Sequence, residues 1–215
     1  MSNGGVIARG RIKVDARKAL DKLRDHMLVD PHLWACEIAR VAVALGATRL
    51  DVDWDADDIV FDFDGRVLAP DQIAHARDHV LTPLDGADGD ALRALGIGIG
   101  AALSLEPAYI DVLSAGYRVR FERRYVEDAT AAPTPVAATT APGVTRVHFK
   151  RKLGFGLFAR LSEDPEEIPL LRDDFDAPAC TLRLRGSLIA RREAPVLGAG
   201  RRRAAIPRGR SPSTV

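Results

Sequence analysis

Two short runs with strict two-residue periodicity constrain this chain most. In "RLDVDW" Leu50, Val52 and Trp54 alternate with Asp51 and Asp53, and Ile59, Phe61 and Phe63 repeat the period in "DIVFDF" after a "DADD" turn. Such alternation sends the apolar side chains to one face of a strand and the carboxylates to the other. The pair predicts a β-hairpin with one wet face and one dry face, and the dry face needs a covering layer. Asp51, Asp53 and Asp55 also stand at the first, third and fifth places of an EF-hand loop. Ala56 replaces the required glycine and Asp62 the closing glutamate, so they read as the solvent side of a strand.

Helical periodicity supplies the cover. "DARKALDKLRDHML" (15–28) sets Ala19, Leu20, Leu23, Met27 and Leu28 on one face, with Asp15 as N-cap. "HLWACEIARVAVAL" is apolar on most sides and stops at Gly46, which predicts a helix buried against a sheet. "APDQIAHARDHVL" reads as a helix opened by Pro70, "TPLDGADGD" as a loop, and "ALRALGIGIGAALSL" as helix on both sides of three glycines. "AYIDVLS" with "YRVRFERRYV" predicts a second hairpin, "VTRVHFKRKL" a strand, "DPEEIPLLRDDF" a short helix and "CTLRLRGSLIA" a last strand or hairpin. The order predicts an α+β fold, a two-layer sandwich with helices on one face of a mixed, mainly antiparallel sheet.

The domain is expected over 15–197, after an N-terminal segment 1–14, with a mobile Ala, Thr and Pro-rich insertion at 128–143 and a disordered arginine-rich tail at 198–215. The net charge of +1 divides into five arginines in that tail and −4 over the rest. Nucleic acid is not the expected partner, because a short Arg, Gly and Pro-rich end more often only solubilises. With 47% hydrophobic residues and no apolar run near the roughly 20 residues of a membrane span, the expectation is a cytoplasmic protein away from membranes. Cys36 and Cys180 form no CxxC or Cys/His spacing, which predicts buried, reduced thiols. His75 and His79 share a helical face but lack a neighbouring glutamate and a third ligand, so no metal site is expected there.

Glu37 is the chemically informative residue. A carboxylate inside an apolar helix costs several kcal/mol unless it has a partner or a task. Arg40, three residues on, is the structural partner; catalysis is the other reading, and the residues alone leave both open. "GIGIG" is a poor Rossmann turn, because "GDALRAL" before it reads as helix.

In sequence order, "EIARVAVAL", "DFDGRVLAPDQI", "LGIGIGAALSLEPAYIDVLS" and "APGVTRVHFKRKL" resemble the boxes "ELVxNAxDA", "DxGxGM", "GxxGxGFxSAF" and "GTxIxLxLK". Those boxes belong to the GHKL superfamily of ATP-binding domains: gyrase B, heat-shock protein 90 chaperones, histidine kinases and mismatch-repair ATPases. The resemblance covers about 15–190 and is closest to the heat-shock protein 90 branch. It implies the Bergerat-type sandwich and ATP or ADP as cofactor. Glu37 takes the place of the base that orients the attacking water. Gly96 and Gly98, with Gly100 completing the run, take the place of amides that cradle phosphate at a helix start. Asp64 and Gly65 fall at the adenine box, with Phe63 in the aspartate's own place, and Thr145 stands beside the adenine-side threonine position.

Val41 stands where the family's asparagine holds Mg²⁺, and an isopropyl group cannot ligate a hard cation. The sequence therefore argues against Mg²⁺. Two functions follow: a stand-alone domain that binds ATP or ADP with at most slow hydrolysis, or a pseudo-ATPase that keeps the fold as an interaction module for a protein partner.

Overall fold

The computed structural model describes residues 28, 30–81, 84–122, 134–135, 143–152 and 164–189. The helix predicted over 15–28, most of the 128–143 insertion and the 198–215 tail lie outside them. A 3-10 turn at Pro31–Leu33, whose first turn Asp30 caps through its bond from the His32 amide (2.9 Å), leads into helix α1 (Trp34–Ala44). Gly46 then takes a left-handed φ of 74°, the conformation that ends helices at a glycine. The chain continues through β1 (Arg49–Trp54), β2 (Asp58–Phe63), α2 (Pro70–Ala74), α3 (Asp78–Leu81), α4 (Ala87–Ser104), β3 (Tyr109–Ser114), β4 (Tyr117–Phe121), β5 (Thr134–Pro135), β6 (Thr145–Lys150), α5 (Glu167–Asp174), β7 (Thr181–Leu184) and β8 (Ser187–Leu188).

The strands form one sheet in the order β5-β4-β3-β6-β2-β1-β7-β8. Only β1 with β7 is parallel among the described pairs. Register lines up the dry side in rows: Val52, Phe61, Val147, Val112 and Val119 in one, and Trp54, Ile59, Phe149, Ile110 and Phe121 in the next. Nearly all of these are fully buried. Helix α1 lies over this face, where Trp34 stacks on Phe149 (4.8 Å between centroids) and meets Phe61 edge-on at 5.4 Å. Burying side chains of this kind contributes about 1.5–3 kcal/mol each.

The opposite face carries the alternating charges, paired across strands. Arg146 grips Asp62 with two bonds of 2.7 and 2.6 Å, and Arg120 grips Asp111 with two of 2.7 Å. The predicted sandwich is therefore the observed one.

Three local expectations change. The helix expected over 69–81 is two short helices, α2 and α3, separated by a turn at 75–77. Residues 134–135, inside the expected mobile insertion, pair with β4. Most consequentially, the two helical runs around the glycines are a single 18-residue helix, α4, which begins at Ala87 within the expected loop. Three glycines inside a helix cost about 3 kcal/mol relative to alanine, so packing must hold it together. Gly96 supplies the reason: a Cβ there would lie 2.5 Å from the Ala76 carbonyl oxygen, so the backbone after α2 passes directly against α4.

Candidate functional site

The expected phosphate-binding glycines sit within α4, not at its start. In the helix interior the amides of Gly96, Gly98 and Gly100 bond to carbonyls four residues earlier, and all three residues are buried. A cradle needs amides free of such bonds. The missing side chain at Gly98 instead lets α4 close on α1: a Cβ there would stand 3.2 Å from the Glu37 Cβ and from the Ile38 Cδ1.

Glu37 is buried in α1 at 6% exposure, and its Oε1 accepts a 2.5 Å bond from Arg40. Burial raises its pKa above 4.5, while Arg40 and Arg93 oppose the rise. Its carboxylate borders a cavity of about 610 Å³ between α1, the first half of α4, and α5 with the chain that follows it. Cys36, Arg40, Arg93, Asp90 and Asp174 contribute the polar lining. Burial and the charge of Asp174 push the Cys36 thiol up to about 11, so it is a poor nucleophile at neutral pH. Of the seven residues expected to bind or act on nucleotide, Glu37 alone lines this cavity.

Asp64 and Gly65 do a structural task. Asp64 accepts from the Thr48 amide (2.7 Å), the Thr48 hydroxyl (2.7 Å) and the Arg49 amide (3.0 Å), pinning the first residue of β1. Partial burial works against its ionisation, but these bonds prevail and hold its pKa below the usual carboxylate value. Gly65, at φ 112°, presses so close to the end of α1 that a Cβ would meet the Leu45 carbonyl oxygen at 2.9 Å. Arg66 completes the stitch: its amide bonds to the Leu45 oxygen (2.9 Å) and its guanidinium to the Ala44 oxygen (3.1 Å) and Asp88 (3.0 Å). Arg66 thus satisfies carbonyls at the C-terminal end of α1 that the helix leaves open, while Asp64 holds the start of β1 and Gly65 permits the close approach.

Thr145 is buried at the start of β6 and pairs its hydroxyl with that of Ser114 at 3.1 Å. Val41 and Phe63 are each 1% exposed, part of the core. The Asp55, Asp57 and Asp58 carboxylates come together at the β1–β2 turn, where Lys150 binds Asp57 (2.6 Å) and Asp58 (2.8 Å), and Asp55 accepts from the turn's own amides. Lys150 offsets part of that turn's negative charge, and its own amides hold Asp55.

Sequence reading missed a second buried carboxylate. Glu167, the first residue of α5, has no solvent exposure and collects bonds from His32 Nδ1 (3.1 Å), Trp34 Nε1 (3.1 Å) and Arg151 (2.9 Å). Its only sequence signal is its place beside Ile168 and one helical turn before Leu171. His32 and Trp34 lie 135 and 133 residues from Glu167 in the chain and Arg151 lies 16 away, beyond the reach of local periodicity.

Comparison with solved structures finds the ATPase region of Saccharomyces cerevisiae topoisomerase II at 14% identity and a TM-score of 0.44, over 75% of this chain and 48% of that one. The same region bound to ICRF-187 (dexrazoxane) matches at 14% identity and a TM-score of 0.45, over 75% and 49%. The chain thus spans about half the length of the solved structures it matches. No protein-family model matches the sequence, and a search of curated proteins finds no match. The α+β sandwich itself stands on strand order, register and burial.

Proposed function

We propose that this chain is an interaction module, a sandwich domain that engages a protein partner and does not process nucleotide. The observation that carries the reading is the unbroken course of α4 through Gly96, Gly98 and Gly100. Amides committed to a helix ladder cannot be offered to phosphate, and the space a nucleotide would need beside them is taken by the backbone at Ala76 and by α1. Val41 offers no oxygen to Mg²⁺. Asp64 is engaged in holding the start of β1, Gly65 packs against the end of α1, and Thr145 is in a buried hydroxyl pair. A reducing, cytoplasmic setting belongs to this reading and suits the two buried free thiols. No helix among the described residues is long and apolar enough to cross a membrane.

One observation favours the other reading, ATP or ADP binding with at most slow hydrolysis. Glu37 reaches a cavity of about 610 Å³, within the size of small-molecule sites, and Arg40 and Arg93 border it as phosphate-compatible cations. In that mode nucleotide would sit on the outer side of the helices, without Asp64, Gly65 or Thr145.

Calorimetric titration with ATP and ADP, each with and without Mg²⁺, separates the two. The interaction module gives no saturable heat at millimolar nucleotide. Saturable binding that Arg93→Ala weakens would overturn it, and turnover lost in Glu37→Gln with binding intact would establish a catalytic carboxylate.

A further inference from the structure

The cavity beside Glu37 is acidic. Glu37, Asp90, Asp174 and Asp176 set four carboxylates on its lining against the two guanidiniums of Arg40 and Arg93, a net charge of −2. Arg40 is already committed to Glu37, and among the described residues Asp90, Asp174 and Asp176 make no ion pair. Cys36 in the same lining registers the excess. Burial is the main cause of its raised pKa, the charge of Asp174 is the next, and Glu37 and Asp30 add to it against Arg40.

We propose that this cavity receives an arginine side chain from a partner protein, its guanidinium paired with Glu37 and its methylene stem along the apolar lining. The inference rests on the reading of this domain as one that acts through protein contacts, and it gives the chemistry of that contact.

Three observations select this occupant. Glu37 is 6% exposed, and among the described residues its side chain's only hydrogen bond is the one that Oε1 accepts from Arg40. Oε2 is left for a second donor, and the fork of a guanidinium can serve both oxygens of one carboxylate. Arg40 reaches Glu37 from three residues on in the same helix, with a side chain 71% exposed. Ion pairs so open to water are weak, so an incoming cation can displace Arg40 into solvent.

The second observation is the apolar remainder of the lining. Ala39 and Val43 of α1, Ile97 of α4, and Leu171 and Phe175 offer hydrocarbon to the stem, and Phe175 adds an aromatic ring of the kind that attracts guanidinium. A volume of about 610 Å³ exceeds what one side chain needs, and Val43 lines it while 41% exposed. Both suit a residue presented on a partner's backbone. The third observation concerns metal. Among the described residues only Asp55, Asp57 and Asp58 bring three ligand atoms within 4.8 Å of one another, so the carboxylates of the cavity are too dispersed for a metal ion and suit a larger, delocalised cation.

Titration of the nitrogen-15-labelled full chain with the capped tripeptide Gly-Arg-Gly, read by amide chemical shifts, tests the proposal. Saturable shifts at Glu37, Ile97 and Phe175 are expected at millimolar peptide. The same peptide with citrulline, which keeps the shape and loses the charge, should bind at least about tenfold more weakly, as should the arginine peptide to Glu37→Gln. Arg40→Ala should tighten arginine binding about two- to fivefold, because it removes the competing cation. Arg40 lies mostly in water, so that variant keeps the fold. Absence of saturation, equal binding of citrulline, unchanged binding to Glu37→Gln, or weaker binding to Arg40→Ala would overturn the proposal. Tighter binding of capped Gly-Glu-Gly would also overturn it, by giving the cavity to an acidic partner. Nucleotide calorimetry reads the interaction module separately. A chain that gives no heat with ATP and no response to the arginine peptide loses the cation site and keeps the module. Saturable ATP binding removes the module, while the peptide titration still decides the cation site.

Discussion

Glu37 and Glu167 are both buried carboxylates on helices of the same layer, yet their surroundings differ in kind. Glu167 is enclosed and meets donors from three places: the turn before α1, α1 itself and the segment after β6. Glu37 pairs with Arg40, which is on its own helix and 71% exposed, and it borders a cavity. A carboxylate whose charge is met by converging donors ties elements together. One left at the edge of a cavity with a single flexible partner is free to meet something else. The contrast separates a structural acid from a surface-facing one more firmly than burial does, since both are nearly inaccessible to water.

The largest expected effect lies on the structural side. Glu167→Ala leaves the Arg151 guanidinium and the Trp34 Nε1–H without their acceptor, and removing one member of such a buried set typically costs about 3–5 kcal/mol. Urea unfolding should read that loss; a change under about 1 kcal/mol would mean that Glu167 is no more essential than a surface acid.

Next in size is Gly96→Ala. Its new methyl must push on the Ala76 backbone, and overpacking of this kind costs about 1–3 kcal/mol, more than the roughly 1 kcal/mol an alanine contributes to helix propensity. Gly98→Ala meets the Glu37 Cβ and the Ile38 side chain at 3.2 Å, contacts that can relax by a few tenths of an ångström. It should fall within about 1 kcal/mol of the parent, because propensity and crowding nearly cancel there. Equal losses at both glycines would mean that the Glu37 side is as tightly packed as the α2 side.

Glu37→Gln is the smallest effect, expected within about 1 kcal/mol at neutral pH, because the amide still accepts from Arg40 and no longer pays for burying charge. Its signature is in pH. The folded-state pKa of Glu37 lies above its unfolded value near 4.5, so the folded chain binds the proton more tightly. Its contribution is fully present below pH 4.5 and is lost as pH rises through the folded value. Unfolding free energies measured across that window should show the parent losing stability relative to Glu37→Gln as pH rises. Parallel curves would remove the burial effect on which the contrast depends.

Much of the architecture is legible in local pattern. Alternation in 49–63 prescribes the hairpin and its two faces, and the apolar "WACEIARVAVA" run prescribes a buried helix, because side-chain direction follows directly from backbone periodicity. Glu37 stood out for the same reason, a charge in an apolar stripe. The motifs of 64–65 and 96–100 are legible as motifs, but not the tertiary surroundings in which they sit. Their residues are explained by a close approach of chains: Gly65 against Leu45, Gly96 against Ala76 and Gly98 against α1.

What the sequence determined by itself, then, is which residues turn inward, since that depends on spacing along a few adjacent residues. Only the tertiary structure decided that α4 runs unbroken through three glycines, that Asp64 pins the start of β1 and that Glu167 joins three segments. Each of those depends on which distant backbone or donor arrives within about 3 Å, the reach of a hydrogen bond or a steric contact, and periodicity carries no record of it.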